Sequence, residues 1–417
     1  MEAKRMIKGA EVIARQLSIQ PGENISIVVD EGTDPRVGAI LLEGALANGA
    51  DATLTRVRGR TMNGENLPPQ VVAALRVSDV AILSTTTWSA SHSAGVISAI
   101  ESGLRVLSMP GVTYDMFHEG AMTADYDEVE RLSIVWGERF MRGGQIRITA
   151  ARGTDLTASL GGWTRGPFLD IGKPPASGGL CNIPGGEVAF APIEGTAQGV
   201  VVADVMLSTS RGSLAEPVEL TIADGVVTRV RGGAAAREFE AALERHGDSA
   251  RVVAEVAIGT NASARFVGVV IEDEKKLGTA HVGFGHAVGL GGKNMSSMHA
   301  DAIVDKATLS IDGVQLIKDG MVMPEGQARE RLAGFAGRGG RYRRRDAQTR
   351  VTGGRLERSW LDIAGETRWM QVGDDEAARL VAGLDRLPLS AAPGSDEARQ
   401  LDLLALYGLV EPDGSQP

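Results

Sequence analysis

At 417 residues the chain is too long for a single hydrophobic core, so two or three domains are expected. Hydrophobic residues make up 43% and charged residues 23%, ordinary proportions for a globular protein. A net charge of -10, from 53 acidic and 43 basic side chains, argues against a general binder of nucleic acid or anionic membranes. The one cysteine, Cys181, excludes an intrachain disulfide and fits a reducing compartment. The opening M-E-A-K-R-M-I-K-G-A-E-V-I reads as an amphipathic helix rather than a signal peptide. No run approaches ~18 apolar residues, so a cytoplasmic protein that does not span a membrane is expected.

The first region alternates strand and helix patterns. Asn24 to Asp30 is a short apolar strand. Asp34-Pro35 then opens a helix reaching about Asn48, with Asp34 as N-cap and proline at its first position. Strands follow at Ala52 to Val57, Val80 to Ser84 and Arg105 to Met109, with helices at Pro68 to Leu75 and Ala94 to Ser102. This order predicts βαβ units around a parallel sheet. The region lacks G-x-G-x-x-G, so a dinucleotide site has no support.

The pattern then turns β-rich. Gln145 to Thr149, Asp155 to Leu160, Val200 to Met206, Val218 to Val227 and Val252 to Ile258 read as strands, with a helix at about Ala234 to His246. Thr308 to Met323 alternates like a hairpin around Asp312-Gly313. Beyond about 330 comes a Gly/Arg-rich linker whose run Arg341 to Arg345 reads as a solvated stretch. Strand-like pieces at Ser359 to Ile363 and Thr367 to Val372 and helices at Asp374 to Leu387 and Asp396 to Leu409 follow it. The expected fold class is therefore α/β. It comprises an N-terminal βαβ parallel-sheet domain over 1–143, a β-rich metal-binding domain over 144–328 and a small α+β, winged-helix-like extension over 329–417. The extension is expected to bind a peptide or protein partner.

Chemistry concentrates between Gly278 and Asp301, which holds three of the six histidines, His281, His286 and His299. His299 and Asp301 stand two apart, so on a strand both point the same way, as a divalent metal ion requires. Two upstream carboxylates can complete such a site. Glu187 follows the Pro184-Gly185-Gly186 turn, and Glu255 lies in the apolar run V-V-A-E-V-A-I-G-T-N. An unpaired buried carboxylate is strongly penalised, and a metal ion relieves it. His281 sits likewise in an apolar strand pattern between glycines. Each residue alone has a plainer explanation, a salt bridge for the glutamates and a core hydrogen bond for the histidine.

The segments N-I-P-G-G-E-V-A-F-A-P (182–192), A-E-V-A-I-G-T-N (254–261), E-K-K-L-G-T-A-H-V-G-F-G (274–285) and M-H-A-D (298–301) resemble the thermophilic-type metalloaminopeptidases, the aminopeptidase T/S family. That resemblance implies two divalent metal ions (Zn, Co, Mn or Mg) held by Glu187, Glu255, His281, His299 and Asp301. It further implies a metallohydrolase cleaving a peptide or amino-acid amide, and a homodimer. Glu255 is then the natural bridge between ions, Glu187 a ligand or general base, and Glu194 and Glu272 further acids nearby. A tyrosine usual in the family is replaced here by the stretch His286, Ala287 and Val288, which makes His286 a candidate proton donor. The alternative comes from the same fold: ring-cleaving dioxygenases of the dihydroxypyridine type, with one Fe(II) on two histidines and an aspartate. His299 and Asp301 are similar to their histidine-x-aspartate pair, whereas the position matching Glu255 is a histidine there.

Overall fold

The computed structural model describes residues 2–323, apart from 61–64, 87, 162–164, 176–177 and 211. Beyond 323 it describes Leu401 and strands at 340–344, 349–352, 355–361, 367–373, 390–391 and 410–412. The chain opens with α1 (Glu2–Gln16), β1 (Asn24–Asp30), α2 (Pro35–Ala47), β2 (Asp51–Val57), α3 (Pro69–Leu75), β3 (Val80–Ser84), α4 (Ala94–Glu101) and β4 (Arg105–Ser108). Asp34 caps α2, its carboxylate accepting from Arg36 N, with proline in the first turn as the sequence predicts. The four strands are parallel in the order β2-β1-β3-β4. Ile25, Ile27, Val29, Val80 and Ile82 fill the core on one face. Val28, Ala81 and Leu83 fill another core on the opposite face. Burial on both faces explains why β1 and β3 are nearly continuously apolar, whereas the edge strand β2 is largely exposed.

Helix α5 (Tyr126–Arg142) leads into the β-rich half. Its strands are β5 (Gln145–Thr149), β6 (Asp155–Ser159), β7 (Phe168–Asp170), β8 (Gly179–Asn182), β9 (Glu187–Phe190), β10 (Gln198–Ala203), β11 (Met206–Leu207), β12 (Val218–Ala223) and β13 (Val226–Arg231). After α6 (Ala234–His246) come β14 (Val253–Gly259), α7 (Val270–Asp273), β15 (Ala280–Gly285), β16 (His299–Val304), β17 (Thr308–Ile311), β18 (Val314–Lys318) and β19 (Met321–Val322). The expected single strand at Val218 to Val227 is instead a hairpin. Asp224 and Gly225 both adopt positive φ between β12 and β13, and the chain turns there. Strand β8 pairs in parallel with β4, so the first sheet takes its fifth strand from beyond residue 143.

Two antiparallel sheets enclose the main core. One has the order β13-β12-β10-β6-β5-β17-β18-β19, the other β11-β16-β15-β14-β9-β7. Ile146, Ile148, Leu220 and Leu309 of the first meet Phe190, Val256, Val282 and Phe284 of the second. Each such fully buried side chain contributes roughly 1.5–3 kcal/mol over its exposed state. From Glu255 onward along β14, and along β15 and β16, side chains alternate, so the residues between these core positions are presented on the sheet's other face; a bulge between Val253 and Glu255 shifts the register just before them.

In the C-terminal region, strands Arg355–Leu361 and Thr367–Gly373 pair close to where the sequence places them. The run expected as a solvated linker contributes a strand, Gly340–Arg344, because its backbone pairs with 390–391 and 410–412 whatever its side-chain charge. The two helices expected at Asp374 to Leu387 and Asp396 to Leu409 lie outside the described residues, except Leu401, which is buried in the main core. Among the described residues no helix is long and apolar enough to cross a membrane.

Candidate metal centre

The outer face of the second sheet is built by register. Asp170 of β7 pairs with Glu187 of β9, and Glu187 with Gly259 of β14. Counting back by four reaches Glu255, which pairs with Gly283 of β15, and Gly283 pairs with Asp301 of β16. His281 and His299 lie two residues before Gly283 and Asp301. A period of two therefore puts Asp170, Glu187, Glu255, His281, His299 and Asp301 on one face across five strands.

The side chains converge accordingly. Glu255 Oε1 lies 3.3 Å from His281 Nε2, and Glu255 Oε2 lies 3.0 Å from His299 Nε2. His299 Nε2 is 3.1 Å from Asp301 Oδ1, and His281 Nε2 is 3.4 Å from Glu187 Oε2. Ligand atoms of Glu255, His281 and Asp301 lie within 4.8 Å of one another, as do those of Glu187, Glu274 and His281. Glu187 Oε2 and Asp301 Oδ1 are buried without a hydrogen-bond partner. Buried acceptors left open around two imidazole nitrogens are what a divalent cation satisfies, so the donor set fits one.

Local structure aims each donor. The turn before Glu187 is pinned where Gly185 N donates to Tyr126 Oη at 3.1 Å and Asn261 Nδ2 donates to Gly185 O at 2.8 Å. Gly186, at φ +126°, must be glycine, because a Cβ would lie 2.5 Å from that of Asn261. His299 Nδ1 donates to the carbonyl oxygen of His286 at 2.8 Å, which leaves Nε2 for the cluster. Asp301 is fixed by its backbone N–H, which donates to Ser208 Oγ at 2.7 Å.

Electrostatics follow from this crowding. Burial pushes the Glu187 carboxyl up to about 8. Burial also opposes ionisation of Glu255, but hydrogen bonds from His281 and His299 outweigh it and hold the group well below the usual carboxylate range. Burial lowers His281, yet its bond to Glu255 and the charge of Glu187 raise it to about 9. His299 is likewise raised well above its ordinary value, burial being overcome by Asp301 and Glu255.

Lys275, Asp170 and Glu274 also belong to this cluster, and the sequence reading assigned none of them a role. Lys275 Nζ lies 2.7 Å from Glu187 Oε1, 2.8 Å from Glu274 Oε1 and 2.9 Å from Asp170 Oδ2. The adjacent acidic and basic residues Glu274-Lys275 beside an apolar strand were the available signal. His286 enters the centre through its carbonyl, while its ring Nδ1 accepts from Ser296 N at 3.4 Å. Glu194 is engaged by Arg165 and by Lys293 N. Glu272 accepts from Ala121 N and pairs with Arg265.

The family described as NicX, 2,5-dihydroxypyridine 5,6-dioxygenase, matches residues 8–324. The solved 2,5-dihydroxypyridine dioxygenase from Pseudomonas putida is 16% identical, with a TM-score of 0.63 over 79% of this chain and 99% of that one. Wild-type AmpT from Thermus thermophilus is 18% identical, with a TM-score of 0.55 over 78% of this chain and all of its own. Among curated proteins none matches. At such identities both structures show the fold alone. The family match corrects the expected metallohydrolase: donors of this kind mark a metal centre without fixing the bond it breaks, and one fold carries both chemistries. Over three quarters of its length, the chain belongs to the 2,5-dihydroxypyridine 5,6-dioxygenase family.

Proposed function

We propose that this chain is a metal-dependent oxidoreductase that opens a hydroxylated nitrogen heterocycle of the dihydroxypyridine type with O2. The observation that carries the proposal is the convergence of His281, His299 and Asp301 on one sheet face, in a chain of this family. Two imidazoles and one carboxylate form the donor set of non-haem Fe(II) oxygenases. Glu255, where the related dioxygenases carry a histidine, adds a second carboxylate, and His281 supplies the imidazole thereby lost. When bound, Fe(II) would bring O2 and an electron-rich ring together.

The chain's own residues supply the rest. Glu187 Oε2, buried and without a hydrogen bond, is suited to accept the proton of a ring hydroxyl. His286, through its carbonyl, holds His299 in the tautomer that presents Nε2. His299, with a third of its side chain exposed, marks the solvent-facing side of the cluster, whereas His281 is fully enclosed.

The test is O2 uptake by purified protein reconstituted anaerobically with Fe(II) and given 2,5-dihydroxypyridine. The expected result is iron-dependent consumption of one O2 per ring lost, followed by electrode and by the fall in ring absorbance. Iron-loaded protein that leaves both the ring and dissolved O2 untouched would overturn the proposal for this substrate class.

A further inference from the structure

The centre contains a positive charge of its own. Lys275 directly follows Glu274, its side chain is 1% exposed, and its ammonium touches Glu187, Glu274 and Asp170 at 2.7–2.9 Å. Glu187 and Glu274, with His281, form one of the two groups of potential ligands; Glu255, Asp301 and the same His281 form the other. The two groups overlap at a single imidazole. Only the second has its carboxylates free of a lysine or arginine.

We infer that Lys275 is a resident cation standing where a second metal ion would bind, so that the centre holds one divalent ion, at Glu255, His281, His299 and Asp301. Three facts lead there. Three carboxylates surround this ammonium at 2.7–2.9 Å, so its charge already compensates theirs. A divalent ion bridging Glu187 and Glu274 would stand close to that ammonium in a buried interior, where like charges repel strongly. Finally, His281 Nε2 lies 3.3 Å from Glu255 and 3.4 Å from Glu187. One nitrogen lone pair ligates one ion, so with His281 serving the Glu255 site a second ion would rest on Glu187 and Glu274, the carboxylates that Lys275 already occupies. The inference deepens the oxygenase reading, which calls for a single ion, but its test counts ions and does not depend on turnover.

The experiment is equilibrium dialysis of the full-length protein against Mn(II), with metal counted by mass spectrometry and spin state followed by electron paramagnetic resonance. The expected wild-type result is one ion per chain with the spectrum of an isolated centre. Lys275→Met should take up a second ion, approaching two per chain with exchange-coupled spins, while Lys275→Arg stays at one. Two ions per wild-type chain would overturn the inference, as would a folded Lys275→Met that still binds one. Should Lys275→Met fail to fold, Glu187→Gln decides: one ion with affinity within about threefold of wild type is expected, and a tenfold or greater loss would make Glu187 a ligand. Failure of O2 uptake with one ion bound would count against the reaction alone.

Discussion

Gly283 lies directly across from Glu255 on the neighbouring strand, and a Cβ added there would sit 2.8 Å from the Glu255 Cβ and 2.9 Å from Asp301 Oδ1. Gly283 pairs with Asp301 on its other side, so one missing side chain lets two carboxylates lean toward each other over the middle strand. Gly283→Ala is therefore expected to do two things. Overpacking should cost about 1–3 kcal/mol of stability, and separating Glu255 from Asp301 should weaken divalent-metal binding at least about tenfold. Chemical denaturation and Mn(II) titration measure the two effects separately. Wild-type affinity in Gly283→Ala would show that the carboxylates need not converge.

Protons and metal compete for the same imidazole nitrogens. His281 is raised to about 9 because the charge and hydrogen bond of Glu255, with Glu187 beyond, outweigh burial. A metal ligand must be neutral, so below that pH each ion bound displaces a proton. Apparent affinity should thus rise with pH up to about 9, by roughly tenfold per unit for each proton released. Calorimetry at pH 7 in buffers of different ionisation enthalpy should find at least one proton released per ion. For the metal-free protein, a folded-state value raised above the unfolded one stabilises at low pH. That contribution is lost as pH climbs from the ordinary histidine range through about 9. Metal-loaded protein should lack this loss, and pH-independent binding would contradict the assignment of His281 as a ligand.

Much of this centre can be read from the chain because the chemistry is local in type, even where it is not local in position. Glu187, Glu255, His281, His299 and Asp301 stand out as charged or titratable residues in apolar, glycine-flanked runs, and the structure brings all five side chains together. Asp170 is illegible because its place depends on strand pairing, and Lys275 is marked by nothing beyond its acidic neighbour Glu274. Asp170 meets Glu187 only through the β7–β9 register, and Lys275 reaches both from a loop. His286 drew attention for its ring, yet its peptide carbonyl makes the contact to His299, and no sequence pattern advertises a carbonyl. The reaction class is not legible in these residues for a different reason: histidines and carboxylates in this arrangement bind metal in a hydrolase and in an oxygenase alike.

The parallel sheet has a buried polar lock of its own at the ends of β1 and β3. Asp30, fully buried, accepts from Gly32 N, Thr33 N, Thr33 Oγ1, Thr86 N, Thr86 Oγ1 and Trp88 Nε1 at 2.8–3.1 Å. Burial alone would raise its carboxyl, but these bonds, chiefly from Thr86, hold it below the usual range. Asp30→Ala would leave the Trp88 indole and the Thr86 amide without their acceptor. Each such buried donor costs about 1–3 kcal/mol, so a loss of at least about 3 kcal/mol is expected. Asp30→Asn keeps the shape and one acceptor oxygen, and should lose less. The sign of the pH effect follows from the depressed value: the stabilisation is present above the unfolded aspartate range and disappears as pH falls through the folded one. Urea unfolding at pH 7 and pH 4 should therefore show the gap between wild type and Asp30→Asn narrowing in acid. A gap that stays constant would mean that shape, and not the carboxylate charge, holds the Thr86–Trp88 loop against the sheet.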